Sequence, residues 1–185
     1  MDASDADRAP EPLDLLRLFV NTLDFPAGPD ALEVPSEAAR WCESHGLPPV
    51  AGLEEAQRLR AFREALRAAM AANNEAVDAA GAWEPMRPFL PTATFALELR
   101  SRRGPALAPA ETGPDRTIAA LLAIAYEALA AGTWSRLRAC RKSTCRYAYY
   151  DRSKNGSRAW CSMAVCGNRE KAQRRRSRER HDAHP

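Results

Sequence analysis

Four cysteines in the last quarter of the 185-residue chain form two matched pairs, Cys140-x4-Cys145 and Cys161-x4-Cys166, with fifteen residues between them. Two short loops at this spacing can bring four thiolates around one Zn²⁺. The segment that carries them has few apolar side chains and cannot hold itself together by burial alone. Metal binding would supply the missing folding energy, on the order of 10–16 kcal/mol for small zinc modules. The alternative is two disulfides, or thiols that only fill space. The C-x-x-C spacing of a redox pair is absent, and four thiolates leave no open position for a catalytic metal. The expectation is one structural Zn²⁺ on Cys140, Cys145, Cys161 and Cys166.

The charge divides at the same point. Residues 140–185 carry a net +9 and residues 1–139 a net −6. Behind Cys166, the stretch Glu170 to Arg176 is rich in helix formers, and apolar residues are almost missing from 167 to 182. Arg169, Gln173, Arg176 and Arg180 recur at helical spacing, with Lys171, Arg174, Arg175 and Arg178 on the neighbouring stripe. Arginine on all sides of a helix repels itself, and phosphates relieve that repulsion. Arg169, Lys171, Arg174, Arg175, Arg176, Arg178 and Arg180 are therefore candidate nucleic-acid contacts. The plainer alternative is a solvated charged tail. Part of the charge (Arg141, Lys142, Arg146, Arg158) would also balance a four-thiolate zinc site of formal charge about −2.

The N-terminus, MDASDADRAPEP, is acidic and polar, unlike a signal peptide. No apolar run approaches the ~20 residues that cross a bilayer. A cytoplasmic protein with reduced thiols is expected. Residues 1–11 read as a disordered leader. Apolar periodicity predicts helices over 12–24, over a short stretch capped by Ser36 and stopped by Gly46, over 53–73, near 75–80 and over 115–131. Phe95, Leu97 and Leu99 alternate with polar residues as in a strand, with 106–108 as its partner. In the cysteine module, 146–151 and 158–161 read as a hairpin around Asn155-Gly156, and Ser162 as the cap of a helix bearing Cys166. The expected fold is mainly α with a small β-hairpin (α+β). A helical domain spans 12–133, a connector covers 134–139, and the zinc module with its basic helix completes 134–185.

Asn21-Thr22 interrupts an apolar helical stretch, and buried polar groups need partners. One reading is an effector pocket presenting Asn21, Arg60 and Arg63; the other is hydrogen bonding to a nearby loop. Cys42 reads as a small buried hydrophobe, and Trp41, Trp83 and Trp134 as core aromatics. Residues 1–139 show no Ser/His/Asp grouping, phosphate-cradling glycine loop or metal-ligand cluster, so no enzyme is expected.

Trp160-Cys161-Ser162-Met163, then Cys166-Gly167-Asn168-Arg169 and Lys171-Ala172, resembles the CGNR zinc finger. The Cys140–Cys145 pair, Tyr150-Asp151, Ser153 and Asn155-Gly156-Ser157 fit the same pattern. Phe19-Val20-Asn21-Thr22, Trp41 with Gly46-Leu47 and the Leu59-Arg60 helix are similar to ABATE, the domain that accompanies this finger and is described as a stress-induced transcription regulator. The resemblance covers nearly all of 12–180. It implies zinc on the four cysteines and a DNA-binding regulator in a bacterium. Gly167 is expected to let the backbone approach the metal, and Asn168 to bond a ligand sulfur or the hairpin. Two competing functions stay in view: an interaction protein whose zinc is purely structural, and a small-ligand-binding protein acting through the helical domain. Charge alone does not separate DNA from RNA. A small-molecule effector and a homodimer are further expectations.

Overall fold

A computed structural model describes residues 7–23, 25, 28–74, 81–100, 104–110, 113, 115–169 and 171–172. The apolar stripes become four helices: α1 (Asp14–Val20), α2 (Pro35–Ser44), α3 (Leu53–Ala72) and α4 (Arg116–Ala130). The 75–80 stretch lies outside the described residues. α3 is the central strut. Its Leu59, Phe62, Leu66 and Met70 are buried in one core with Leu16 and Phe19 of α1 and Leu121 and Ala125 of α4. Phe62 meets Phe19 at 6.0 Å and, edge-on, Phe89 at 5.2 Å; Phe19 also meets Trp41 at 5.8 Å. Trp83 packs on Trp134 at 4.9 Å. Cys42 is fully buried, and burial pushes its thiol up to about 11. Trp134 and Cys42 thus fill core positions as expected, and Trp41 and Trp83 pack half-buried against the core.

Helix ends depart from the sequence expectation for identifiable reasons. α1 stops at Asn21, whose side chain is committed to a distant strand. α2 starts on Pro35, so Ser36 lies inside the helix and is not its cap; proline's fixed φ suits a first helical position. Asp115 precedes α4 in a left-handed conformation (φ 58°), and its carboxylate pairs with Arg58 at 2.6 Å instead of capping the helix.

The expected first hairpin is present. β1 (Phe95–Arg100) and β2 (Gly104–Pro109) pair antiparallel from Phe95↔Pro109 to Arg100↔Gly104, and β2 packs on α4. The second sheet corrects the expectation. β4 (Ala148–Tyr150) pairs with β3 (Leu137–Ala139), a segment assigned from sequence to a connector, and not with 158–161. The loop after β4 folds around a carboxylate: Asp151, fully buried, accepts from the backbone N–H of Ser153 and of Arg158, each at 2.9 Å. Asn155-Gly156 turns within that loop, Gly156 at φ 57°. With Arg158's N–H taken by Asp151, the chain leaves the sheet.

Leu137, Ala139 and Ala148 belong to the same core as the helices. Asn73 donates to the carbonyls of Trp134 (3.0 Å) and Leu137 (2.8 Å), and Asn74 to that of Ala139 (2.6 Å). The leader expectation is also corrected where the chain is described. Asp7 and Ala9 are buried, and Arg152 donates to the carbonyl of Arg8 at 2.9 Å. Among the described residues no helix is long and apolar enough to cross a membrane.

Candidate metal centre and nucleic-acid interface

The first cysteine pair sits on a tight knuckle between β3 and β4. The Cys140 N–H donates to Tyr147 O (2.9 Å), and the N–H groups of Cys145 and Arg146 both donate to Lys142 O (2.9 and 3.1 Å). Arg146 adopts φ 51°, a conformation that L residues rarely take. Arg67, buried on α3, stabilises it by donating to Arg146 O at 2.9 Å while also donating to Val20 O at 2.6 Å.

The second pair is presented by a capped turn. Ser162 Oγ accepts from Val165 N–H (3.3 Å), and Ser162 O accepts from the N–H groups of Cys166 (2.9 Å) and Gly167 (3.1 Å). The turn Met163–Gly167 is wide, of π type, and runs into helical backbone at Asn168 and Arg169. The cap foreseen at Ser162 is therefore present. A hydrogen bond from Arg141 N–H to Ala159 O (3.1 Å) ties this loop to the knuckle.

A side chain at Gly167 has no room. A Cβ there would collide with the sulfur of Met163 and sit 3.1 Å from Trp160. The missing side chain makes room for the packing that holds the Cys166 turn closed. Asn168 is exposed.

The four Sγ atoms lie within 4.8 Å of one another. Cys145 and Cys161 are separated by 3.5 Å and Cys161 and Cys166 by 3.7 Å. Zn–S bonds of about 2.3 Å in a tetrahedron put the sulfurs about 3.8 Å apart, so the donor set fits the ion. Thiols this close cannot all ionise together. Cys140 is held low by the hydrogen bonds of Cys145 and Cys161, and those two are pushed up by the same contacts with Cys140. A divalent cation lifts that restriction by accepting all four thiolates. Cys140 and Cys166 form a small second core with Tyr149, lined by Cys145, Trp160 and Cys161.

Residues 136–179 match the CGNR zinc finger, and residues 13–133 match the family described as "Putative stress-induced transcription regulator", ABATE. The chain belongs to the ABATE family. No curated protein matches it. The cofactor of this ABATE protein is zinc, bound by Cys140, Cys145, Cys161 and Cys166 in a closed four-sulfur site.

Among the described residues, most arginines of the finger hold partners within the protein. Arg158 lies over the Tyr149 ring (4.5 Å), pairs with Asp7 (2.6 Å), and donates to the carbonyls of Trp160 and Cys161. Tyr149 in turn donates to Arg158 O at 2.6 Å, and its burial pushes the phenol up. Arg136 donates to Asp151 O and Ser153 O, Arg141 to Asn74 O, and Arg146 pairs with Glu64 at 3.5 Å. The partners of Arg141, Arg146 and Arg158 are thus backbone carbonyls and carboxylates rather than the cysteine sulfurs. Arg169 and Lys171 are exposed, with no ion pair among the described residues. Arg174, Arg175, Arg176, Arg178 and Arg180 lie outside the described residues.

Asn21 and Arg63 are committed to partners within the protein. Asn21 bonds the backbone of Ala148, and Arg63 pairs with Asp30 (2.5 Å) and Glu64 (3.1 Å) and donates to Thr22 Oγ1 (3.1 Å). Arg60 is half-buried beside Asp30. The cleft between the α3 and α4 N-termini, lined by Pro48, Glu55 and Asp115, contains none of the three. Sequence reasoning missed Arg67, Asn73, Asn74 and Asp7. Arg67 had a legible signal, since it falls on the same α3 stripe as Leu59, Phe62, Leu66 and Met70; the others had none.

Proposed function

We propose that this protein is a non-catalytic transcription regulator that binds DNA through its zinc module. The supporting observation is the placement of free charge. The described arginines of the finger that precede Cys166 are tied to carbonyls and carboxylates, while Arg169 and Lys171 are exposed where the chain leaves Cys166 as a helix. The five arginines that follow in sequence recur at helical spacing. The metal fixes the direction of that segment, and the segment neutralises phosphates. A four-thiolate centre with no open position suits this structural role and no catalytic one.

Fluorescence anisotropy on mixed-sequence duplexes tests the proposal. Affinity should fall with salt, with a log–log slope of about −0.9 per phosphate contacted. Replacing both Arg169 and Lys171 with alanine should reduce that slope by roughly two contacts. Salt-insensitive binding, or binding unchanged after chelation of zinc, would contradict the proposal. A marked preference for single-stranded RNA would move the target from DNA to RNA.

A further inference from the structure

The two edges of the β1–β2 hairpin differ in character. Ala110 N–H donates to Thr94 O (3.0 Å) in continuation of the hairpin register. Inter-strand bonds alternate along an antiparallel pair, so Ala96, Glu98 and Arg100 turn their backbone groups to β2. Phe95, Leu97 and Leu99 turn theirs to the open edge. On β2 the outward positions are Pro105, Leu107 and Pro109, and the prolines offer no N–H there. The β2 edge is therefore closed to further pairing, and β1 keeps a full row of outward donors and acceptors.

The same β1 residues expose apolar side chains: Leu97 is 69% and Leu99 85% exposed, and Phe95 38%. A groove of about 450 Å³ lined by Leu97, Leu107, Tyr126 and Ala130 joins this strip to α4, where Tyr126 and Leu129 are also exposed. A long apolar edge strand is a hazard that monomeric proteins cover or charge.

We propose that β1 is the two-fold interface of a homodimer, in which the β1 edges of two chains pair antiparallel into one four-stranded sheet. A strand paired antiparallel with its own copy is two-fold symmetric by construction. With Leu97 on the axis, Leu97 faces the partner's Leu97 and Phe95 faces the partner's Leu99. Each exposed apolar residue of β1 then gains a cross-strand neighbour. At about 200 Å² per large side chain, the exposed fractions of Phe95, Leu97, Leu99, Tyr126 and Leu129 offer roughly 600 Å² per chain. Two chains together reach about 1,200 Å², the lower bound of a stable interface. The chain's own segments outside the described residues do not suit an apolar strip: residues 173–185 hold no large apolar side chain, 75–80 only Val77 and 1–6 only Met1.

Sedimentation velocity on the zinc-loaded full chain, without nucleic acid, reads the mass directly and independently of any DNA binding. The wild type should sediment at twice the 20.4 kDa chain mass. Leu97→Lys, at an exposed site, should sediment as a monomer with unchanged zinc content and circular dichroism. A monomeric wild type, or a dimeric Leu97→Lys, overturns the proposal. Should that variant misfold, Leu97→Cys decides. Facing hydrogen-bonded residues stand about 5.5 Å apart at Cα, within disulfide reach. Oxidised glutathione should therefore cross-link Leu97→Cys above the wild-type background. Cross-linking no greater than wild type overturns the proposal.

Discussion

Asn21 holds Ala148 as a neighbouring strand would: its Nδ2 donates to Ala148 O at 2.9 Å and its Oδ1 accepts from Ala148 N–H at 2.8 Å. One side chain at the end of α1 thus satisfies both backbone groups of a residue on the far edge of the β3–β4 sheet. The helical domain and the finger meet at this pair, and Ala148 itself is fully buried in the helical core. Asn21→Ala would leave a buried donor and acceptor unpaired, costing about 1–3 kcal/mol for each. Asn21→Asp should be no better, because a carboxylate cannot donate to Ala148 O. Urea denaturation of zinc-loaded protein should show both variants with lower midpoints and a single transition.

Metal removal should be felt beyond the finger. From sequence alone, Cys161→Ser is expected to unfold only the C-terminal module. Because Leu137, Ala139 and Ala148 pack with α1 and α3, chelation or Cys161→Ser should instead lower the melting temperature of the helical signal itself. Circular dichroism of the α-helical band, with and without chelator, measures it. An unchanged melting temperature would show that the shared core closes without the metal.

Gly167→Ala should disturb the zinc site through packing. The new methyl meets Met163 and Trp160, and displacing the turn moves Cys166. Zinc affinity should fall about 10–100-fold, the usual effect of losing an outer-shell support. Adding Met163→Ala removes the main obstruction and should recover much of the loss. Competition titration with a chromophoric chelator reads both variants.

Asp14 offers a test by pH. It is 1% exposed. Burial works against its charge, yet the hydrogen bonds of Arg17 (2.7 and 2.9 Å) and of the Ala9 N–H (2.7 Å), with the fields of Arg17 and Arg8, hold its carboxyl below the usual range. A depressed folded pKa stabilises above the unfolded value of about 3.9, and that stability is lost as pH falls through the lower folded value. Asp14→Asn leaves Arg17 buried without its counter-ion and should cost about 3–5 kcal/mol at neutral pH. The gap to wild type should stay constant down to about pH 4 and shrink below it. Comparing the two proteins across pH cancels any acid-driven loss of zinc common to both.

Much of this was legible in the chain. The α3 stripe, the β1–β2 alternation, the cap at Ser162 and the metal ligands each rest on local rules: periodicity, capping chemistry and thiolate spacing. The partner of β4 was not legible, because three residues of either candidate strand look alike until tertiary packing chooses. Leu137 and Ala139 won because their faces complete the helical core, and Asp151 drew residues 152–158 into a loop. The role of Asn21 was hidden for the same reason, since its partner lies 127 positions away.

By itself, then, the sequence determined that four sulfurs close on one zinc and that arginines follow, because both depend on spacing along a short stretch of chain. Only the tertiary structure decided that the finger is bolted to the helices and that its described arginines before Cys166 are already taken. Those outcomes depend on which buried carbonyls and carboxylates lie within about 3 Å of a side chain, a distance that only the folded chain defines.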